Sequence, residues 1–154
     1  MKQSKFSITL KDEPMEKLMM KTDQQTLALW AMDCAERVMP YFEEQFPEDL
    51  RPRQAIETLK AWIDTGLFKM AVIRKASLDS HAAAREAGED SPVRSAARAA
   101  GQAVATAHVA AHSLGAAIYA QQAIFRATNS PDAGAAAARE RDWQYRRLLE
   151  LVEN

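Results

Sequence analysis

The sequence predicts an all-α protein, a single-domain bundle of about six to seven helices. Three observations lead there. Apolar residues recur at spacings of three and four almost throughout, β-branched residues never alternate over a useful length, and proline and glycine cut the pattern into helix-sized pieces. The 154 residues suit one domain. A chain of this size buries about two-thirds of its unfolded surface, so it needs no disulfide or metal to hold it.

The chain divides into an N-terminal arm over 1–22, a core over 23–128 and a C-terminal helix over 131–154. The start, through Lys11, reads as an extended arm. "DEPMEKLMM" reads as a short helix opened by Asp12. A stronger helix begins at Thr22, which with Gln25 fits a capping box. Leu27, Trp30, Ala31, Cys34, Val38 and Phe42 then share one face. Pro40 lies within this pattern; its missing N–H and its ring predict a kink or break near 38–39. Pro47 marks the end.

Pro52 suits a first helical turn, and Ile56, Leu59 and Ile63 line the face that follows. Gly66 fits a C-terminal cap. Residues 67–87 form the next helix, closed by Gly88. Ser91 as N-cap and Pro92 behind it open a long helix with an alanine-rich stripe from Val93 to Phe125. A bend or break is expected at Ser113–Gly115. Tyr145, Leu149 and Val152 form the seam of the final helix. "RPRQAIETLKAW" and "SPVRSAARAAGQAV" share a Pro–Arg–helix pattern, which admits HEAT-like helix pairs.

Composition excludes several function classes. The formal net charge of −1 argues against a general nucleic-acid binder. No apolar run approaches the roughly 18 residues that cross a bilayer, and the first residues lack the apolar core of a signal peptide, so no membrane partner and a cytoplasmic location are expected. The single cysteine, Cys34, rules out an intramolecular disulfide or a zinc ribbon and reads as a small buried hydrophobe. No motif calls for a cofactor.

The polar residues carry the functional question. His108 and His112 lie four apart in a helical pattern, a spacing that suits two ligands on one ion. Zinc peptidases use this spacing with Glu after the first His; Val109 stands there, which removes that chemistry. A metal would take His81 as a third ligand, with Asp33 or Glu36 as a carboxylate. The alternative is that the histidines are satisfied within helix packing. Arg94, Arg98, Gly101, Ala105, His108, His112, Gly115 and Tyr119 fall along one line of the same predicted helix, which would wall a pocket or a tight helix contact.

Asp33 and Arg37 form an i,i+4 pair with the acid first, the favourable order on a helix. Arg51 and Arg53 flank Pro52 at a helix start, where positive charge opposes the macrodipole. They call for an Arg–carboxylate network or a bound anion. The acidic run with Glu43, Glu44, Glu48 and Asp49 offers a patch to a basic partner, and Trp143 is a candidate interface anchor.

Three stretches carry a family resemblance: "LALWAMDCAERVMPYFEEQFPEDLRPRQAIETLKAWI", "RKASLDSHAAAREA" and "ARAAGQAVATAHVAAHSLGAAIYA". They resemble the motifs of predicted immunity proteins of bacterial polymorphic-toxin systems, over roughly residues 27–125. The arm and the last helix lie outside. The resemblance implies an all-α fold and a protein that binds a toxin domain and neutralises it by occlusion, without catalysis. Asp33, Arg51, Arg53, His81, Arg98, His108 and His112 are the polar positions that match. Arg37 departs from the family, which often has His there. Two other readings stand beside this one: a helical protein, an enzyme among them, that binds a metal or small ligand through the His/Asp/Arg cluster, and a plain helical scaffold.

Overall fold

The computed structural model describes Phe6 and residues 13–153. Eight helices follow one another: α1 (Glu13–Met20), α2 (Gln24–Glu36), α3 (Met39–Gln45), α4 (Arg51–Thr65), α5 (Met70–Glu86), α6 (Pro92–Ala105), α7 (His112–Ala127) and α8 (Ala133–Glu153). The described residues contain no strand. The all-α class therefore holds, with eight helices among the described residues rather than six or seven. The predicted extended arm lies outside the described residues, apart from Phe6, whose ring meets the Phe125 ring edge-on at 5.6 Å.

α6 is the centre of the molecule. Val93, Ser95, Ala96, Ala97, Ala99, Ala100, Gly101, Ala103 and Val104 are all buried, so the helix is enclosed on nearly every side. α2, α3 and α4 pack on one side of it, and α5 and α7 flank it. Alanine makes this possible, because a single methyl lets neighbouring helices come close. The bulk of the core is supplied from outside α6 by Trp30, Phe42, Met15, Met39, Leu59 and Leu148. An open HEAT-like stack would touch neighbours only; here one helix gathers most of the others.

Local signals set several boundaries. Ser91 caps α6 by accepting from the Arg94 N–H at 3.1 Å. Gly66 closes α4 at φ 70°, the left-handed conformation that favours glycine. Pro40 and Pro52 both sit in first turns, where a missing N–H costs nothing. The chain breaks between Glu36 and Met39, so Leu27 through Phe42 line one buried face across two helices.

Three boundaries differ from the sequence reading. The helix expected from residue 67 begins at Met70, which leaves residues 67–69 in the connection. The cap of α2 is Asp23, which accepts from the Thr26 N–H at 2.8 Å. Thr22 is occupied elsewhere: its hydroxyl donates to the Leu18 carbonyl at 2.6 Å and closes α1. The predicted long helix ends at Ala105 and resumes at His112, ahead of the expected break at Ser113–Gly115. The cause lies 82 residues away in sequence. Gln24, at the start of α2, donates Nε2 to the carbonyls of Thr106 at 2.9 Å and Ala107 at 3.0 Å. Those carbonyls are freed where α6 stops, and the glutamine satisfies them.

Candidate functional site

The break separates the two histidines that the sequence placed one turn apart. His108 lies in the α6–α7 connection, and His112 is the first residue of α7. The His108 ring is exposed and stacks on Phe68 from the α4–α5 connection, with centroids 6.2 Å apart. His112 turns the other way. Its Nδ1 faces Gln102 Oε1 at 2.8 Å, and since the amide oxygen only accepts, Nδ1 carries the proton. Gly115 leaves room for this pair; a Cβ there would meet Gln102 Oε1 at 2.8 Å.

His81, on α5, makes a different pairing. Arg98 Nη1 donates to its Nδ1 at 3.0 Å, so the ring proton of the neutral form sits on Nε2. Burial lowers the His81 pKa to about 4, with the nearby charges of Arg98 and Arg85 acting in the same direction. The ring is neutral at physiological pH. Gly101 supplies the space beneath it. Beside this pair, Ser80 donates to the Ala97 carbonyl at 2.8 Å and Ser77 to the Gly101 carbonyl at 2.9 Å, which ties α5 to α6 along its length.

The three candidate histidines, His81, His108 and His112, are not brought together. Among the described residues no three His, Cys, Asp or Glu side chains converge where they could hold a metal ion. Two of the histidines point their ring nitrogens at Arg98 and Gln102. Asp33 belongs elsewhere as well: it accepts from Arg147 Nε on α8 at 2.8 Å. Arg37, its predicted partner, instead grips Glu140 through two bonds of 2.7 and 2.8 Å. Its guanidinium lies 3.8 Å over the Trp143 ring. Trp143 is thus half-buried under Arg37. Cys34 is fully buried, and burial raises its thiol well above the ordinary range.

Arg51 and Arg53 are consumed by carboxylates. Arg51 holds Asp49 at 2.7 Å and reaches Glu86 on α5; Arg53 holds Glu43 at 2.7 Å and reaches Glu36 on α2. Asp49 is held below the usual carboxylate range by its bonds to Arg51. These arginines strap the acidic loop and α2 to the first turn of α4. Of the acidic interface candidates, Glu43 and Asp49 are neutralised in this way, and Glu44 and Glu48 stay exposed.

The outer face of α5, α6 and α7 is built differently. Arg94, Arg98, Gln102 and Ala105 are the partly exposed residues of α6 there. Arg94 donates to the Arg85 and Ala87 carbonyls at 3.2 and 2.8 Å and so caps α5, while its buried Nε has no partner. Arg126 of α7 reaches the Ser95 hydroxyl at 3.0 Å and Asp90 at 3.2 Å. Tyr119 is half-buried on α7, packed on the core. At the opposite end of this face lies a recess of about 230 Å³ lined by Met70, Ile73, Arg74, Leu78, Ala105 and His108. Phe68 and Val109 stand exposed at its edge. The sequence reading missed this recess, because its residues come from two helices and two connections.

The model of a protein family described as "Imm-5 like putative immunity protein" matches residues 17–151. The chain belongs to that family. The match runs from α1 nearly to the end of α8, wider than the motif span of 27–125. No curated protein and no solved structure matches the chain. Membership covers the whole helical unit, so both the arginine-strapped loop and the α5–α6–α7 face belong to the matched span. Within this Imm-5 like protein no described helix is long and apolar enough to cross a membrane.

Proposed function

We propose that this protein is an immunity protein that neutralises a toxin domain by binding it and covering its surface, with no chemistry of its own. The family match over residues 17–151 carries the reading. Two features of the molecule support it. Six of the seven polar residues shared with the family motifs are bonded to side chains within the protein: His81 to Arg98, His112 to Gln102, Asp33 to Arg147, and Arg51 and Arg53 to carboxylates. An apolar cluster is left at the surface. Leu67, Phe68, Met70, Leu78 and Val109 are between 42% and 72% exposed. Clustered exposed apolar side chains mark protein contact surfaces.

The test is co-expression with candidate toxin domains from the same genome. The expected outcome is restored growth and a complex of fixed stoichiometry on gel filtration. Growth arrest that persists while the protein is folded and abundant would overturn the proposal.

A further inference from the structure

We infer that the outer face of α5, α6 and α7 is the docking surface, and that its partner is a protein offering an acidic surface with an apolar anchor. The inference rests on the immunity reading and adds where the toxin binds and what its surface must be.

Arg74, Arg85, Arg94, Arg98 and Arg126 line or edge this face, from the recess to the far end. Among the described residues the one carboxylate bonded to any of them is Asp90, whose own side chain is 92% exposed. The other acids of α5 turn away, Asp79 to Lys75 and Glu86 to Arg51. Four arginines elsewhere, among them two at the start of α4, are treated in the opposite way, while among the described residues Arg139 and Arg146 of α8 make no ion pair. Arg37, Arg51, Arg53 and Arg147 each hold a carboxylate, and three of them hold two. Carboxylates gather on Arg37, Arg51, Arg53 and Arg147, and the five arginines of the α5–α6–α7 face keep a single exposed one between them, which leaves that face basic in a chain of net charge −1. Such a face complements an acidic surface.

The recess supplies the second half of the recognition. Met70, Leu78 and the alkyl stem of Arg74 surround it, with His108 stacked on Phe68 as one wall. Such a hollow accepts an aliphatic or aromatic side chain, and burying that anchor supplies the affinity while the arginines set orientation and encounter rate. A polynucleotide would also meet arginines. The overall negative charge and the apolar end of the face favour protein. The acidic loop is the weaker candidate, because Arg51 and Arg53 already neutralise Asp49 and Glu43.

The experiment is calorimetric titration of the full chain with the purified toxin domain that co-expression identifies, and separately with a single-stranded DNA of about 20 nucleotides. Two variants disturb the face at exposed positions, Arg74→Glu combined with Arg85→Glu, and Leu78→Asp. A third, Glu44→Lys combined with Glu48→Lys, disturbs the acidic loop. Melting curves establish that each folds. The expected result is a loss of toxin affinity of at least about tenfold in each face variant and less than about twofold in the loop variant. Wild-type binding that both face variants retain overturns the inference and leaves the immunity reading intact. So does a loss confined to the loop variant. Binding of the DNA that the arginine variant abolishes, with toxin binding unchanged, assigns the face to nucleic acid instead. A wild-type chain that does not bind the toxin domain overturns the immunity reading, and the inference with it.

Discussion

His81 lies directly against the backbone of Gly101. A Cβ on Gly101 would stand 2.7 Å from His81 Nε2, 2.9 Å from Cε1 and 3.0 Å from Cδ2. The glycine is therefore the floor of the ring's site, and Arg98 on the same helix is its clamp.

Gly101→Ala should push the ring out. Alanine gains about 1 kcal/mol of helix propensity over glycine. Overpacking a closed site costs about 1–3 kcal/mol. The His81–Arg98 bond is lost as well, so we expect a net destabilisation of about 1 kcal/mol. The sharper readout is NMR titration of the imidazole: once displaced into water, His81 should titrate well above its native value of about 4 and nearer to 6.5.

The same histidine gives the fold a pH dependence of definite sign. Its pKa is 6.5 in the ordinary state and about 4 when folded. Between those values the unfolded chain takes up a proton that the folded chain refuses. Stability from this group is complete above pH 6.5 and is lost as pH falls toward 4. Asp23 and Asp49 are held below 3.8, Asp23 by its cap to Thr26 and Asp49 by Arg51, so their contribution is lost only at lower pH. Urea midpoints at pH 7 and pH 4.5 should therefore fall less in His81→Gln than in wild type. An equal fall in both would exclude His81 as the source.

Arg37 and Glu140 carry the third expectation. The Glu140 side chain is 3% exposed, and Arg37 caps it with two bonds. Arg37→Ala would leave a carboxylate in the core without its counter-charge. Removing one partner of a buried pair costs about 3–5 kcal/mol. The Arg37 side chain is itself 40% exposed, so water reaches the site and we expect about 2 kcal/mol. Arg37→Met with Glu140→Leu should recover most of the loss. Urea unfolding of the single and double variants checks both parts.

The Arg37 result shows where reading a sequence stops. Asp33 and Arg37 have the spacing of a helical ion pair, yet each chooses a partner on α8. The competing carboxylate lies 103 residues away for Arg37, and the competing guanidinium 114 residues away for Asp33. The i,i+4 rule is worth only a few tenths of a kcal/mol, so a better-buried partner prevails. The network around Arg51 and Arg53 was legible because the charge conflict at a helix start is local. Which carboxylates resolve it was legible only for those nearby in sequence.

By itself, the sequence determined the all-α class, most of the buried faces and the caps at Gly66 and Ser91. Ser91, Pro52, Gly66 and the Leu27–Phe42 stripe act through neighbours within a few residues, and such signals survive without a tertiary structure. Tertiary structure alone decided that α6 stops at Ala105, because Gln24 is what satisfies the freed carbonyls. That stop sends His108 to Phe68 and His112 to Gln102. It also decided which arginines meet acids and which face outward. The reason is the same in each case: side chains that are interchangeable by local spacing are distinguished by partners that only folding brings within reach.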